Sequence, residues 1–270
     1  MFRTPLLSSN LVLLCCLLLV DPAIVQAEDG DPLAIRKWPG GMLSLESHWG
    51  FHVAVDPTEK ALKQLPSTPD QIVLSSDAID HYLTRKPNFA KAAWVPSAEF
   101  TGKDPNAIHI KSLPSQVVKA SSLMLEADGA RVVFVPDECL ATPAGVPVDD
   151  IKPTDLLVLS ASNASRLTDP GVISLVKRMA PRLVLLNDID ASQMESAEKF
   201  RKAIDAREPV TETDHNTLAF SQSGSPEHQT QVVVLSDVPW QMPDELATLF
   251  AGIKRITHHK RSSPNSRPSS

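Results

Sequence analysis

Short apolar runs that alternate with polar residues fill the first half of the chain and predict strands. The runs MLSLES and FHVAVDP flank an HWG turn and predict an antiparallel hairpin. DQIVLSS predicts a buried strand, AAWVPS and NAIHIKSL predict two short strands, and PTEKALKQL predicts a short helix that begins at Pro57. SLMLEADGARVVFVPDE predicts a second hairpin, because Asp128-Gly129 is a pair that a type I′ turn prefers.

The second half of the chain changes to a β-α-β pattern. TDLLVLSAS is a continuous apolar strand, which is typical of a sheet covered on both faces. DPGVISLVKRMAP starts with an Asp-Pro helix signal and places four apolar side chains on one helical face. RLVLLND predicts the next strand, and Ser192 with Glu195 has the spacing of a capping box for the helix SQMESAEKFRKAIDA. NTLAFS and QVVVLSD predict two further strands, and PDELATLFAGIKR predicts a last helix.

Residues 1–27 have the pattern of a signal peptide. Arg3 is followed by the apolar run LVLLCCLLLV and by VQA, a small-residue cleavage site that ends at Ala27. The apolar run has roughly ten residues, whereas a membrane-spanning helix needs about twenty. The alternative is a lipoprotein signal with Cys15 or Cys16, but both lie inside the apolar run. We therefore expect cleavage after Ala27 and export to a periplasmic or extracellular space, with no transmembrane segment left.

The mature part divides into a predicted domain over residues 28–256 and a disordered basic tail over residues 257–270, THHKRSSPNSRPSS. Of the 270 residues, 42% are hydrophobic, which is enough to build a sizeable core. The net charge of −6 is opposite in sign to the basic surface that binds nucleic acid, so no nucleic-acid partner is expected. Cys139 is the one cysteine left after cleavage, which excludes an intramolecular disulfide.

The junctions between these elements carry residues in a familiar order. FHVAVDP ends in Asp56 and Pro57, IVLSSDAIDH follows it as a strand that runs into polar residues, and Asp137 and Asp188 come after two later apolar strands. This order resembles the metallo-β-lactamase superfamily, in its simple hydrolase-like or lactonase-like branch, from about Leu33 to Ile256. The resemblance implies an α/β (α+β) protein with a four-layer αβ/βα sandwich, in which two facing mixed sheets have helices outside.

The resemblance also implies positions for a dinuclear metal site, and the sequence departs from them. In the His-x-His-x-Asp-His turn of the family, Ser76 and Ala78 stand at the first two histidines, and only Asp80 and His81 remain. The histidine that precedes the Asp-Gly hairpin in the family is absent from SLPSQVVKASS. Alanine has no donor atom, and neutral serine is a poor substitute for imidazole on zinc. The first metal site has therefore lost its three imidazoles.

The second metal site of the family would be reduced to Asp80, His81, Asp137 and Asp188. Asp137 matches the metal-bridging aspartate, and Asp188 stands where the family has its last histidine. Three carboxylates and one imidazole would suit one hard cation, Mn²⁺ or Mg²⁺ more than Zn²⁺. The alternative is that these residues form hydrogen bonds at the strand ends without any metal or other cofactor, and the sequence favours this alternative.

The other candidate residues are assigned ordinary structural roles. We expect His48 and His52 at surface or edge positions, His109 as a half-exposed strand residue and His215 as a turn residue. Cys139 would be a nucleophile only beside a base, and a buried spectator thiol is the favoured interpretation.

Three functions remain open from the sequence. The first is an exported, non-catalytic protein, a pseudoenzyme with a degenerate metal site that binds a small molecule in the cleft or acts as a scaffold. The second is a mononuclear metal-dependent hydrolase that cleaves a phosphoester, a lactone or a similar bond. The third is a metal-independent enzyme with Asp80, His81 and Asp137 as acid-base groups. The missing imidazoles favour the first, although a fold alone does not decide between an enzyme and a binding protein.

Overall fold

The alternating runs of the sequence form strands that pair into two sheets. The computed structural model describes residues 33–75, 93–96, 108–220 and 230–238, all of which belong to a unit that ends at Val238. The described strands are β1 (Leu33–Lys37), β2 (Leu43–Glu46), β3 (His52–Val55), β4 (Gln71–Leu74), β5 (Ala93–Pro96), β6 (His109–Pro114), β7 (Ser121–Ala127), β8 (Ala130–Val135), β9 (Leu156–Ser160), β10 (Leu183–Asn187), β11 (Thr211–Glu212), β12 (Thr217–Phe220) and β13 (Gln231–Val234).

Each sheet combines antiparallel and parallel pairs. The first sheet has the order β12-β1-β2-β3-β4-β5, with antiparallel pairs from β12 to β3 and parallel pairs from β3 to β5. The second sheet has the order β11-β13-β10-β9-β8-β7-β6, in which β6, β7 and β8 are antiparallel and the pairs from β8 to β11 are parallel. The predicted β2–β3 and β7–β8 hairpins are both confirmed. Asp128 and Gly129 have φ values of 50° and 76°, as a type I′ turn requires.

The two faces of the interior strands β3, β4 and β7 to β10 belong to different hydrophobic clusters, because successive side chains point to opposite faces of a sheet. On β9, Leu156 and Val158 pack with residues of both sheets in the central cluster. Leu157 and Leu159, between and after them, belong to a second cluster on the outer face. A strand that is buried on both faces explains the uninterrupted apolar run of its sequence.

Helices cover both outer faces. The described α-helices are α1 (Glu59–Leu62), α2 (Asp137–Leu140), α3 (Pro170–Met179) and α4 (Met194–Ala203). Val172 of α3 and Phe200 of α4 are fully buried on the outer face of the second sheet. Ala61 of α1 packs with Ile72 on the outer face of the first sheet. The helix, sheet, sheet and helix layers confirm the predicted αβ/βα sandwich. None of the helices among the described residues is both long and apolar enough to cross a membrane.

Two predictions about helices have different outcomes. Asp169 caps α3 as the Asp-Pro signal predicted, since its side chain accepts a hydrogen bond from the N–H of Gly171. The capping box at Ser192 is wrong. Asp190 is the cap instead, and the Oε1 of Gln193 accepts a hydrogen bond from the N–H of Asp190. The cap lies earlier than predicted because a 3-10 turn precedes α4 and moves the start of the helical backbone toward the N-terminus.

The predicted last helix, the signal peptide and the basic tail lie outside the described residues. The predicted domain boundaries at residues 27 and 256 therefore remain predictions.

Candidate site at the carboxyl ends of the strands

Three aspartates lie within two residues of the carboxyl ends of strands that end at the same edge of the sandwich. Asp56 follows β3 in the first sheet, while Asp137 and Asp188 come after β8 and β10 in the second. The carboxylates are close enough to interact, since Asp188 repels the charge of Asp56 and Asp137 repels the charge of Asp188. Asp80 and His81, the other two predicted site residues, lie outside the described residues.

Asp56 joins the ends of two neighbouring strands. Its Oδ1 accepts a hydrogen bond of 2.7 Å from the N–H of Ser75, and its Oδ2 accepts one of 2.5 Å from the Ser75 hydroxyl. Burial raises the pKa of the Asp56 carboxyl to about 6, the Ser75 hydrogen bonds oppose that rise, and repulsion from Glu138 and Asp188 adds to it. Asp56 also has a φ of 47°, which aspartate and asparagine tolerate better than most residues. Asp56 therefore acts as a structural link.

Asp188 lies beneath a glycine turn that sequence reasoning missed. A Cβ atom on Gly41 would come within 2.2 Å of Asp188 Oδ1. Asn187 holds the turn in place, because its Nδ2 donates to the carbonyl oxygen of Gly41 at 2.7 Å and to the Ser160 hydroxyl at 3.0 Å. Ser160 in turn donates to Asp188 Oδ2 at 3.1 Å. The consecutive glycines in WPGGM were the available signal, since Gly40 and Gly41 both adopt positive φ.

The pKa of Asp188 is raised, mainly by burial. The Ser160 hydrogen bond and the positive charge of Lys37 lower it, while repulsion from Asp137 and Asp237 raises it. The balance shows that this carboxylate is incompletely compensated by the described groups around it.

The two carboxylate oxygens of Asp137 differ, because only Oδ2 accepts a hydrogen bond and the buried Oδ1 has an ion-pair contact alone. Its Oδ2 accepts a hydrogen bond of 2.6 Å from the Ser162 hydroxyl, and its Oδ1 lies 2.7 Å from Nη1 of Arg166. The same Nη1 donates to the backbone carbonyl of Asp137 at 2.6 Å. Ser162 and Arg166 follow β9, and the polar stretch SASNASRL after an apolar strand was the signal for them.

A buried lysine provides a second positive charge at this edge. Lys37 is the last residue of β1, and its Nζ lies 2.9 Å from Asp237 Oδ1. It also donates to the carbonyl oxygens of Ile189 and Leu235, which follow strands of the opposite sheet. Lys37 therefore connects the two sheets next to Asp188, and sequence reasoning did not identify it.

The remaining candidates have structural surroundings. Cys139 is buried in α2 as predicted, and burial raises the pKa of its thiol to about 11, so the thiol stays protonated near neutral pH. His109 is half-buried on β6 and His215 lies in a bend, both as expected, and His48 is exposed. The prediction of a surface or edge position is wrong for His52. It is buried because β3 is an interior strand of its sheet, and this burial lowers its pKa.

The architecture matches that of a solved structure. A protein from Thermotoga maritima assigned to the Zn-dependent hydrolases of the metallo-β-lactamase superfamily superposes with a TM-score of 0.52 and 17% identity, over 76% of this chain and 100% of that one. The 270-residue chain therefore has the metallo-β-lactamase fold. The predicted fold class is thereby confirmed.

Two further structures of the metallo-β-lactamase fold align at lower similarity. The fold protein YhfI from Bacillus subtilis has a TM-score of 0.46 at 10% identity, over 78% of this chain and 99% of that one. Igni18, a metallo hydrolase from Ignicoccus hospitalis, has a TM-score of 0.44 at 12% identity, over 71% and 100%. No family model matches the sequence, and no curated protein matches it either.

The metallo-β-lactamase fold implies metal, and the described part of the site does not fit one. No group of three His, Cys, Asp or Glu side chains within residues 33–75, 93–96, 108–220 and 230–238 is arranged to hold an ion. Asp137 Oδ1 lies 2.7 Å from the guanidinium of Arg166, whose positive charge would repel a metal cation at this oxygen, and Oδ2 accepts a hydrogen bond from Ser162. The predicted set of Asp80, His81, Asp137 and Asp188 includes two residues outside the description, and it remains a prediction.

Proposed function

We propose that this protein is an exported, non-catalytic member of the metallo-β-lactamase fold, which binds a small molecule in its cleft without a metal. The observation that carries the proposal is the ion pair between Arg166 Nη1 and Asp137 Oδ1 at 2.7 Å. A metal-bridging carboxylate binds cations from outside the chain, whereas the positive charge beside this one is the guanidinium of Arg166. The absence of imidazoles at Ser76 and Ala78 supports the same conclusion.

Metal analysis of the mature protein tests this proposal. We expect elemental analysis to find no stoichiometric metal, and calorimetric titration with Zn²⁺, Mn²⁺ or Mg²⁺ to show no saturable binding. Two tightly bound ions per chain would contradict the proposal outright. One ion that is lost in His81→Ala and Asp137→Ala would instead support the mononuclear hydrolase of phosphoester, lactone or similar bonds. Asp149→Ala is the matched control, because Asp149 is an exposed turn residue.

Export is tested by amino-terminal sequencing of secreted protein. We expect the mature chain to start at Glu28, because the small residue Ala27 ends a signal-peptide pattern. Ala27→Arg should abolish cleavage at this position, since the cleavage site requires a small residue. A mature chain that begins at Met1, or a lipid on Cys15 or Cys16, would refute export by this route.

A further inference from the structure

We propose that Arg166 and Lys37 are the built-in counter-charges of the cleft, and that Arg166 keeps divalent metal away from Asp137. The inference rests on the proposed metal-free function and assigns the residues responsible for it. In the metallo-β-lactamase fold the carboxylates at this edge are neutralised by metal ions; here side chains of the chain itself supply the positive charge.

The charge balance at this edge shows why internal cations are required. The described acidic side chains here are Asp56, Asp137, Glu138, Asp188 and Asp237. The carboxylates of Asp56 and Asp188 are desolvated, and each is repelled by at least one of its acidic neighbours. A charge removed from water must be paired or hydrogen-bonded, otherwise it opposes folding.

Arg166 is held in position by the turn that carries it. Arg166 lies in a 3-10 turn over Ala164–Thr168, and Leu167 of this turn is fully buried in the outer hydrophobic cluster. Asn163 caps the turn, because its Oδ1 accepts hydrogen bonds from the N–H and the hydroxyl of Ser165. The Asn163 cap and the buried Leu167 fix the turn, so the backbone of Arg166 is already held beside Asp137 when the ion pair forms. This distinguishes the pair from a surface ion pair between two mobile side chains, which contributes little.

The guanidinium of Arg166 opposes a metal ion on Asp137 by its charge and its position. Nη1 of Arg166 contacts both the carboxylate and the backbone carbonyl of Asp137, at 2.7 Å and 2.6 Å. Ser162 occupies the second carboxylate oxygen at 2.6 Å. A divalent ion on Oδ1 would be repelled by the guanidinium at short range, where Coulomb energies are large.

Lys37 performs the corresponding role beside Asp188. Its ammonium is buried and lies 2.9 Å from Asp237, and its positive charge lowers the pKa of Asp188. The carbonyls of Ile189 and Leu235 lie near its remaining donors. Lys37 is thus paired with Asp237, and it only partly offsets the charge of Asp188.

A double-mutant cycle with Arg166→Met and Asp137→Asn tests the inference. Arg166→Met should raise the equilibrium constant for unfolding roughly 30-fold, or about 2 kcal/mol at 1.4 kcal/mol per factor of ten, because it leaves Asp137 without its cation. Adding Asp137→Asn should restore stability to within about threefold of the wild type, since the uncompensated charge is then gone. Arg178→Met is the matched control, because Arg178 is exposed on α3 and should change stability by less than about threefold.

Metal titration of the same variants gives an independent readout. Mn²⁺ or Zn²⁺ should raise the unfolding temperature of Arg166→Met by several degrees, and should have no effect on the wild type or on the double variant. If Arg166→Met does not fold, recovery of folding in the double variant supports the inference, and failure of both overturns it. Additive effects of the two substitutions would overturn it as well.

The two proposals can fail separately in this design. Stoichiometric metal in the wild-type protein would refute the metal-free function, whatever the coupling between Arg166 and Asp137. A metal-free wild type without coupling between the two residues would leave the function in place and refute the role of Arg166.

Discussion

Gly41→Ala is expected to lower the free energy of unfolding by about 3 to 5 kcal/mol. Part of the loss is backbone strain of roughly 1 to 2 kcal/mol, because Gly41 has a φ of 79°, which an L-residue rarely adopts. The larger part is steric, since the new Cβ would lie 2.2 Å from Asp188 Oδ1 and would displace a buried carboxylate. Equilibrium unfolding in urea measures the loss.

Gly50→Ala separates the two contributions. Gly50 has a φ of 78°, almost the same as Gly41, yet no atom lies within 4 Å of a Cβ at that position. Its substitution should therefore cost only the backbone part, about 1 to 2 kcal/mol. Combining Gly41→Ala with Asp188→Gly should recover most of the steric loss, and Asp188 itself has a φ of 64° that glycine accepts. Equal losses for Gly41→Ala and Gly50→Ala would show that Asp188 does not press against the turn.

Asp56→Ala is expected to be less stable than Asp56→Asn by about 2 to 3 kcal/mol at every pH. Alanine leaves the buried N–H of Ser75 without an acceptor. It also tolerates the φ of 47° less well than aspartate or asparagine does. Asparagine keeps an acceptor for that N–H and a donor for the Ser75 hydroxyl, and it tolerates the same backbone conformation. Denaturant unfolding of the two variants gives the difference directly, and equal stabilities would refute the linking role of Asp56.

The pH dependence of wild type against Asp56→Asn follows from the raised pKa of Asp56. The folded protein holds this proton with a pKa of about 6, against an ordinary value of 3.8, so protonation favours the folded state. The contribution is fully present below about pH 4 and is lost as the pH rises through about 6. The wild type should thus lose on the order of 2 to 3 kcal/mol relative to Asp56→Asn between these conditions. A pH-independent difference between the two proteins would contradict the raised pKa.

The sheets could be predicted because their signals are local. The alternation in FHVAVDP, the Asp128-Gly129 turn and the uninterrupted apolar run of β9 each specify one element within a few residues. The prediction of a surface or edge position for His52 failed because the burial of His52 has no local signal. Its burial depends on the neighbouring strands and on the opposite sheet, none of which its own segment describes.

The site could be predicted only in part. Asp137 and Asp188 were identified because the resemblance to the metallo-β-lactamase superfamily places them at metal-ligand positions after two apolar strands. Arg166 and Lys37 were missed because an arginine in a polar stretch and a lysine at the end of a short strand ordinarily remain solvated. Their roles depend on partners distant in the chain, Asp137 for one and Asp237 for the other. The Gly41 turn was missed for the same reason, since its neighbour is Asp188.

The hairpin turn at Asp128 has a mechanical consequence for the sandwich. Asp128 Oδ2 accepts a hydrogen bond of 2.8 Å from the N–H of His48, so the turn between β7 and β8 holds the turn between β2 and β3. This contact joins the two sheets at the end opposite the carboxylates, whereas Lys37 joins them at the carboxylate end. Hydrogen bonds therefore connect the two sheets at both ends of the sandwich. Any separation of the sheets at either end would have to break one of these contacts, so the spacing between the sheets depends on Asp128 as well as on Lys37.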